Sequence, residues 1–289
     1  MPEGFEKVLQ LLPEPLRTGA EEISLDQRRC VEELRLRSGR EPAVLAEGRE
    51  RVFCRGHTLT PTELWSVLER VSGSSLHSFS QQLCRGYLTA RGGVRVGVCG
   101  TGGPGIDGIR DVSSLALRIP RQIKSAGAEL MDTLSGGERS LLILSPPGGG
   151  KTTFLRELIR CTSERGCRVA VADERGELSA TWNGQSQFDL GCCTDVLCGF
   201  SKAEGAMALL RSMNPQLIAV DEITAPEDLA AMERVANCGV KLYATAHAAT
   251  LQDLSSRPLY RQLLAARLFD AVVLIENHGG HRHYRELAL

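Results

Sequence analysis

The spacing of apolar and polar residues differs between the two parts of this 289-residue chain. In the first part, helical spacing, as at 23–36, is mixed with strand-like alternation, as at 86–100. In the second part, helical stretches separate short apolar runs, which lie at 141–144, 168–172, 217–220, 241–245 and 271–275. Short buried strands that alternate with helices predict a largely parallel sheet with helices on both faces. We therefore expect a smaller α+β domain over 1–125 and an α/β domain over 126–289.

The composition is typical of a soluble globular protein, with 42% hydrophobic and 24% charged residues. The formal net charge of −1 gives no overall attraction to nucleic acid or to anionic lipid. The ten cysteines include no CxxC pair, which argues against a zinc ribbon or a disulfide framework. The N-terminus does not resemble a signal peptide, and no apolar run approaches the roughly 20 residues that span a bilayer. These features predict a cytoplasmic protein that is peripheral if it acts at a membrane.

A glycine-rich segment after the apolar run 141–144 carries the strongest functional signal. It reads SPPGGGKTT from Ser145 and leads directly into a helical pattern, although the GxxxxGK[ST] motif has a glycine at its first position. A strand, a glycine-rich loop and a helix in this order direct backbone N–H groups at a phosphate group. We expect Lys151 to reach the β- and γ-phosphates of ATP and Thr152 to bind Mg²⁺.

A second apolar run, at 217–220, ends in the adjacent carboxylates of Asp221 and Glu222. Ligands of parallel sheets bind at the carboxyl ends of the strands, so these carboxylates are expected beside the glycine-rich loop. Asp221 fits the Walker B role of holding Mg²⁺, and Glu222 is expected to polarise the attacking water. The predicted ATP-binding residues are Ser145, Pro146, Pro147, Gly148, Gly149, Gly150, Lys151, Thr152, Thr153 and Asp221.

Two further strand ends carry polar side chains. The run at 168–172 is followed by Asp173, Glu174 and Glu177, for which solvation at the surface is the alternative to a role in the site. We include Glu177 with Lys151 and Glu222 among the predicted catalytic residues. His247 follows the run at 241–245 and is expected to sense the γ-phosphate, although a single histidine is more often structural.

The order of phosphate loop, acidic box, arginine-containing helix, Walker B strand and histidine box resembles the secretion-ATPase superfamily. More closely, the chain resembles the stage III sporulation AA family of spore-forming bacteria, a branch of that superfamily. The matching segments are 33–42, 86–100, 113–121, 145–158, 173–178, 194–213 and 246–248. This resemblance implies a RecA-like P-loop ATPase core, ATP hydrolysis and assembly into a ring, expected to be a hexamer. It also implies action in the mother cell, at the inner face of the membrane, on integral membrane proteins of a channel to the forespore.

The chain departs from the family pattern where an arginine is expected to act across subunits, because Cys193 occupies that position. Hydrolysis is then expected either to be slow or to depend on another arginine that completes the site, from the N-terminal domain or from a neighbouring subunit. The candidates are Arg95, Arg118, Arg121 and Arg211.

Other functions use the same phosphate loop. One alternative is a nucleic-acid-dependent ATPase that binds through the arginine-rich N-terminal segment with Arg35, Arg37 and Arg40. Aromatic residues are only 4% of the chain, which makes stacking platforms for bases scarce, so nucleic acid is a disfavoured partner. A small-molecule kinase is a third possibility. The histidine-rich segment 277–284 is interpreted as a hairpin with exposed histidines, with a metal site as the alternative.

Overall fold

The computed structural model describes residues 3–73, 80–102, 109–279 and 281–289. The chain forms two compact units. The first unit runs to residue 121 and also includes 180–187, and the second comprises 122–179 and 188–289. The division into domains at 125/126 stays a prediction. In the described residues, no helix is both long enough and apolar enough to cross a membrane.

The first unit is built around an antiparallel sheet. Its helices and strands are α1 (Glu3–Leu9), α2 (Leu16–Glu21), α3 (Leu25–Cys30), β1 (Val31–Arg37), β2 (Ala43–Ala46), β3 (Arg49–Val52), α4 (Pro61–Val71), α5 (Ser80–Cys84), β4 (Tyr87–Thr89), β5 (Arg95–Gly102) and β6 (Ile109–Arg118). The six strands lie in the order β3-β2-β1-β6-β5-β4, and every neighbouring pair is antiparallel. The expected hairpin at 86–100 is confirmed by the pairing of β4 with β5.

The helix predicted at 23–36 is wrong in its second half. Helix α3 ends at Cys30, and β1 begins at Val31. Leu34 and Leu36 are fully buried and alternate with arginines, which is the period of a strand. Pairing of β1 with both β2 and β6 makes it a central strand of the sheet, and this pairing overrides the helical spacing of the apolar residues.

The second unit alternates strands with helices. Its elements are α6 (Ala128–Leu134), β7 (Leu141–Ser145), α7 (Lys151–Glu164), β8 (Val169–Asp173), β9 (Thr194–Cys198), α8 (Lys202–Ser212), β10 (Leu217–Val220), α9 (Pro226–Asn237), β11 (Lys241–His247), α10 (Leu251–Ser256), α11 (Pro258–Ala265), β12 (Ala271–His278) and β13 (His281–Ala288). The seven strands lie in the order β13-β12-β7-β11-β10-β8-β9. All neighbouring pairs are parallel except β12 with β13, so the predicted largely parallel sheet is confirmed.

Helices cover both faces of this sheet. Every residue of β7 is buried, and alternate residues of the strand contact different layers. Leu141 and Ile143 pack with α6 and α7, whereas Leu142 and Leu144 pack with α8, α9, α10 and α11. The two-sided burial explains why the core strands read as continuous apolar runs in the sequence.

Strand register brings the functional positions to one edge of the sheet. Ser145, the last residue of β7, lies opposite His247, the last residue of β11. Val220 of β10 lies opposite Ala244 on one side and Ala172 on the other. The residues that directly follow these strand ends therefore emerge together at the carboxyl edge.

The start of the second unit packs tightly against the phosphate-loop helix. Phe154 of α7 is fully buried and stacks on Tyr284 of β13, with 5.1 Å between ring centroids. Gly127, which begins α6 in a left-handed conformation with φ +67°, lies against the same ring. A Cβ at Gly127 would overlap the Phe154 side chain, so this position requires glycine for space as well as for backbone conformation.

We predict that Gly127→Ala lowers the free energy of unfolding by about 1–3 kcal/mol, since the added methyl group displaces Phe154 and the backbone is strained. Gly136→Ala is the matched control, because no atom lies within 4 Å of its Cβ position. It should change the free energy of unfolding by less than about 0.5 kcal/mol. Urea unfolding followed by far-UV circular dichroism measures both variants. Equal effects of the two substitutions would contradict this packing.

Candidate active site

The glycine-rich segment forms a loop between β7 and α7. Because α7 begins at Lys151, the N–H groups of its first turn have no carbonyl partner within the helix. Gly150 has φ +102°, a conformation that favours glycine. Ser145 replaces the first glycine of the motif, and its hydroxyl donates to the Pro146 carbonyl at 2.9 Å. A Cβ on Gly149 would overlap this hydroxyl, so Gly149 makes the room that Ser145 needs.

Lys151 is buried at the centre of the site. Its Nζ donates to the carbonyl oxygens of Ser145 at 3.2 Å and Pro146 at 3.4 Å, and lies 2.7 Å from His247 Nδ1. Burial lowers the pKa of Lys151, and the carboxylates of Asp221 and Glu222 oppose that shift. The ammonium group is thus held by polar groups, and no carboxylate among the residues that the structure describes pairs directly with it.

Asp221, which directly follows β10, is linked to α7 and to β11 through its two carboxylate oxygens. Thr152 Oγ1 of α7 donates to Oδ2 at 2.8 Å, and Thr245 Oγ1 of β11 donates to Oδ1 at 2.6 Å. Burial raises the pKa of Asp221, while the two hydroxyl donors oppose the shift. A threonine hydroxyl beside a carboxylate is a hard-oxygen donor set that fits Mg²⁺.

Glu222 and His247 form a chain of contacts with Lys151. His247 Nε2 lies 2.9 Å from Glu222 Oε1, while its Nδ1 faces Lys151 Nζ. If the lysine donates to Nδ1, the Nε2–H donates to Glu222, which corresponds to the neutral Nε2–H tautomer. Glu222 has φ +55°, and its N–H donates to Thr245 Oγ1 at 2.8 Å. A left-handed glutamate is a strained residue of the kind that concentrates at functional sites.

The acidic loop after β8 is held by buried polar contacts. Asp173 accepts the N–H of Glu177 at 2.9 Å, the N–H of Ser179 at 2.8 Å and the Ser179 hydroxyl at 2.6 Å. Arg156 of α7 donates to the carbonyl oxygens of Glu177 at 2.7 Å and Leu178 at 2.9 Å. These contacts make Asp173 a residue that shapes the loop. Glu177 lines a cleft, together with Glu174, Asp221 and Glu222.

The structure brings the predicted residues together to different degrees. His247 contacts both Lys151 and Glu222, Thr152 contacts Asp221, and Glu177 lines the same cleft as Asp221 and Glu222. Thr245, Arg156 and Lys202 also belong to the site, although the sequence motifs did not single them out.

Lys202 begins α8 and links the two acidic loops. Its Nζ donates to Glu174 Oε2 at 3.1 Å and to Thr224 Oγ1 at 3.4 Å. Thr245 lies in the TAH segment two residues before His247, and Lys202 lies in SKAEG at the start of α8. Their proximity to recognised motifs is the signal in the sequence that could have identified them.

Four arginines are candidates to replace the arginine that the family pattern has at the position of Cys193. Each of them contacts groups that are near it in the chain or in the same unit. Arg95 lies over the Tyr87 ring, and Arg211 Nε donates to the Met207 carbonyl at 3.0 Å. Arg118 pairs with Glu33 at 2.8 Å, while Arg121 donates to two backbone carbonyls near β1.

The basic face suggested for the N-terminal segment is also partly paired. Arg35 contacts Glu33 at 2.7 Å, and Arg37 forms two hydrogen bonds with Glu50 at 2.7 and 2.8 Å. In the C-terminal hairpin, His278, His281 and His283 are exposed. Within the described parts of the chain, no cluster of three or more histidine, cysteine or acidic residues is arranged to hold a metal ion.

The family model for sporulation stage III, protein AA, matches residues 3–286. The chain belongs to the stage III sporulation protein AA family. Stage III sporulation protein AA of Bacillus subtilis (strain 168) is 34% identical over 285 residues, which are 96% of this chain and 92% of that protein. The resemblance drawn from the motifs is thereby confirmed.

Solved structures of a pilus retraction motor and of another bacterial ATPase share the fold of this family member. The pilus retraction motor PilT with bound ADP has a TM-score of 0.64 and 19% identity, over 91% of this chain and 81% of that chain. The ATPase DotB of Legionella pneumophila has a TM-score of 0.58 and 17% identity, over 89% of this chain and 76% of that chain. These similarities confirm the RecA-like fold class.

The raised pKa of the half-buried Asp221 generates a prediction about pH. Its folded-state pKa is raised above the ordinary value of 3.8, so the wild-type protein loses stability as the pH rises from about 3.8 through the raised pKa. Asp221→Asn removes this contribution. Without nucleotide and metal, the Tm of the variant minus the Tm of the wild type should increase between about pH 4 and about pH 7. Thermal melts at fixed ionic strength measure this difference in Tm, and a difference that does not change with pH would contradict a raised pKa of Asp221 in the folded protein.

Proposed function

We propose that this protein hydrolyses ATP as a motor of the secretion-ATPase type. The observation that carries the proposal is the meeting of Lys151, the Thr152–Asp221 pair and the His247–Glu222 pair at the carboxyl edge of one parallel sheet. Phosphoryl transfer to water requires a phosphate cradle, an oxygen site for a divalent cation and a group that polarises water. These five side chains supply all three requirements.

Each side chain takes one role in the proposed reaction. The free N–H groups of the α7 first turn and the Lys151 ammonium bind the β- and γ-phosphates. Thr152 and Asp221 hold Mg²⁺, which would neutralise developing charge on the phosphate oxygens. Glu222 accepts a proton from the attacking water, and His247 orients the Glu222 carboxylate. Glu177 lines the same cleft as Asp221 and Glu222, where it can hold a water molecule.

The contact between Lys151 and His247 suggests how nucleotide binding is coupled to Glu222. A bound γ-phosphate competes with His247 for the Lys151 ammonium, because a phosphate oxygen is the stronger, charged acceptor. Release of Lys151 frees His247 Nδ1 and changes the hydrogen bonding of the ring that contacts Glu222. We therefore propose that His247 reports the presence of the γ-phosphate to the group that activates water.

We further propose that the subunits act as a ring, expected to be a hexamer, at the inner face of the mother-cell membrane. There the motor would energise a sporulation channel by acting on integral membrane proteins. Membership of the stage III sporulation family and the fold shared with a pilus retraction motor and with the ATPase DotB support this proposal.

Substitution of the two central residues separates binding from hydrolysis. Lys151→Ala should weaken ATP binding by at least about 100-fold, since the phosphates lose their buried cationic partner. Glu222→Gln should keep ATP affinity within a few fold while turnover falls by about 100-fold or more, because an amide does not accept the proton. Fluorescent-nucleotide titration and steady-state phosphate release measure the two properties. Lys124→Ala, which removes an exposed lysine paired with Asp189, is the control and should leave both unchanged.

Two outcomes would count against the proposal. Wild-type protein that binds no ATP would exclude the nucleotide site. Full turnover in Glu222→Gln would show that this carboxylate does not activate water.

Ring assembly predicts that turnover depends on protein concentration. If neighbouring subunits complete each other's sites, phosphate release per subunit should rise with concentration over the same range in which sedimentation velocity shows assembly. Constant turnover per monomer at every concentration would contradict shared sites. Stimulation by RNA or DNA that weakens steeply with salt would instead favour the nucleic-acid-dependent alternative.

A further inference from the structure

The C-terminal hairpin places an arginine on the phosphate loop. Strand β13 pairs antiparallel with β12, and Arg282 lies opposite Asn277. A Cβ built on Gly150 would lie 2.9 Å from Arg282 Nε and 3.1 Å from its Cζ, so the guanidinium rests directly over this glycine. Gly150 immediately precedes Lys151, where the loop turns into α7. The motifs of the sequence gave no reason to consider Arg282.

Packing of β13 against neighbouring elements fixes the position of this arginine. Residues 282, 284 and 286 share one face of the strand, because side chains alternate along it. Tyr284 stacks on Phe154, one turn into α7, at 5.1 Å between centroids. Glu286 pairs with Arg139 at 2.7 Å, just before β7. Because these two contacts fix that face of β13, residue 282 on the same face lies at the N-terminus of α7.

Arg282 is exposed and has charge available for a ligand. No ion pair or hydrogen bond joins its guanidinium to another of the residues that the structure describes, whereas Arg285 of the same strand lies 3.9 Å from Glu276. An arginine guanidinium is suited to bind phosphate oxygens through paired N–H donors. The loop beneath it is the part of the chain that we propose binds phosphates.

The strand order indicates which end of the nucleotide Arg282 would meet. The order is β13-β12-β7-β11-β10, so β7 with its loop stands between β13 and the strand that carries Asp221 and Glu222. The γ-phosphate must lie on the Asp221 side, where the metal ligands and the proton acceptor are. The α-phosphate then lies on the opposite side of the loop, toward β13.

We infer that Arg282 binds the α-phosphate of the nucleotide and contributes equally to the affinity for ATP and for ADP. This inference rests on the proposed ATP site and specifies one more residue of it. Arg282 acts in cis, on the ground state, and far from the bond that is cleaved. It is therefore distinct from an arginine that stabilises the transition state across a subunit boundary.

The test compares Arg282→Ala with Arg285→Ala, which removes an arginine from the opposite face of the same strand. Arg282→Ala should raise the dissociation constants of ATP and ADP by the same factor, about tenfold, as expected for loss of a charge-assisted hydrogen bond. The KM for ATP should rise in parallel while kcat stays within about twofold. Arg282→Lys should recover part of the affinity, because it keeps the charge without the planar pair of donors. Arg285→Ala should match the wild type in every measurement.

Salt dependence separates a phosphate contact from stacking on the base. The dissociation constant of the wild type should rise more steeply with ionic strength than that of Arg282→Ala, since a contact between exposed charges is screened. Equal salt dependence, unchanged ADP affinity, or a fall in kcat without a change in KM would each overturn the inference. If wild-type protein binds neither nucleotide, or if Lys151→Ala binds as well as wild type, the proposed ATP site itself fails. A normal Lys151 effect with an unaffected Arg282→Ala overturns the role of Arg282 alone.

Discussion

The hydrogen bonding of the half-buried Asp221 carboxylate is the constraint on which the arrangement of the site depends. A charge that is partly removed from water is destabilising unless hydrogen bonds satisfy it, and here the donors come from Thr152 on α7 and Thr245 on β11. One carboxylate therefore ties the phosphate-loop helix to two strands of the sheet. Thr245 also accepts the N–H of Glu222, so the position of the left-handed glutamate depends on the same hydroxyl.

The two charged groups at the centre of the site are Lys151 and Asp221. Lys151 meets two carbonyl oxygens and an imidazole, and burial shifts its pKa down while that of Asp221 is shifted up. Both shifts mean that the folded protein opposes the charged forms of these groups. In the proposed function, a polyphosphate would favour the charged form of Lys151 and a divalent cation would favour the charged form of Asp221, so both ligands would stabilise the site.

Much of the fold and part of the site followed from local patterns. Continuous apolar runs predicted buried parallel strands because helices cover both faces of the sheet, as the fully buried β7 demonstrates. The glycine-rich loop and the Asp221-Glu222 pair were recognisable because phosphate binding demands particular residue types at fixed spacing. The helix expected at 23–36 failed in its second half because apolar spacing over a short window does not reveal pairing with β2 and β6.

The sequence by itself determined the succession of most strands and helices along the chain, the glycine-rich segment before a helix, and the family, since each depends on residues that are close in the chain. Only the tertiary structure decided which side chains meet. His247 lies 96 positions from Lys151 and contacts it because β11 pairs with β7 in one register. Arg282 lies over Gly150 because Tyr284 stacks on Phe154 and strand alternation then fixes the neighbouring side chains. Such contacts follow from strand order and register, which spacing along the chain does not encode locally.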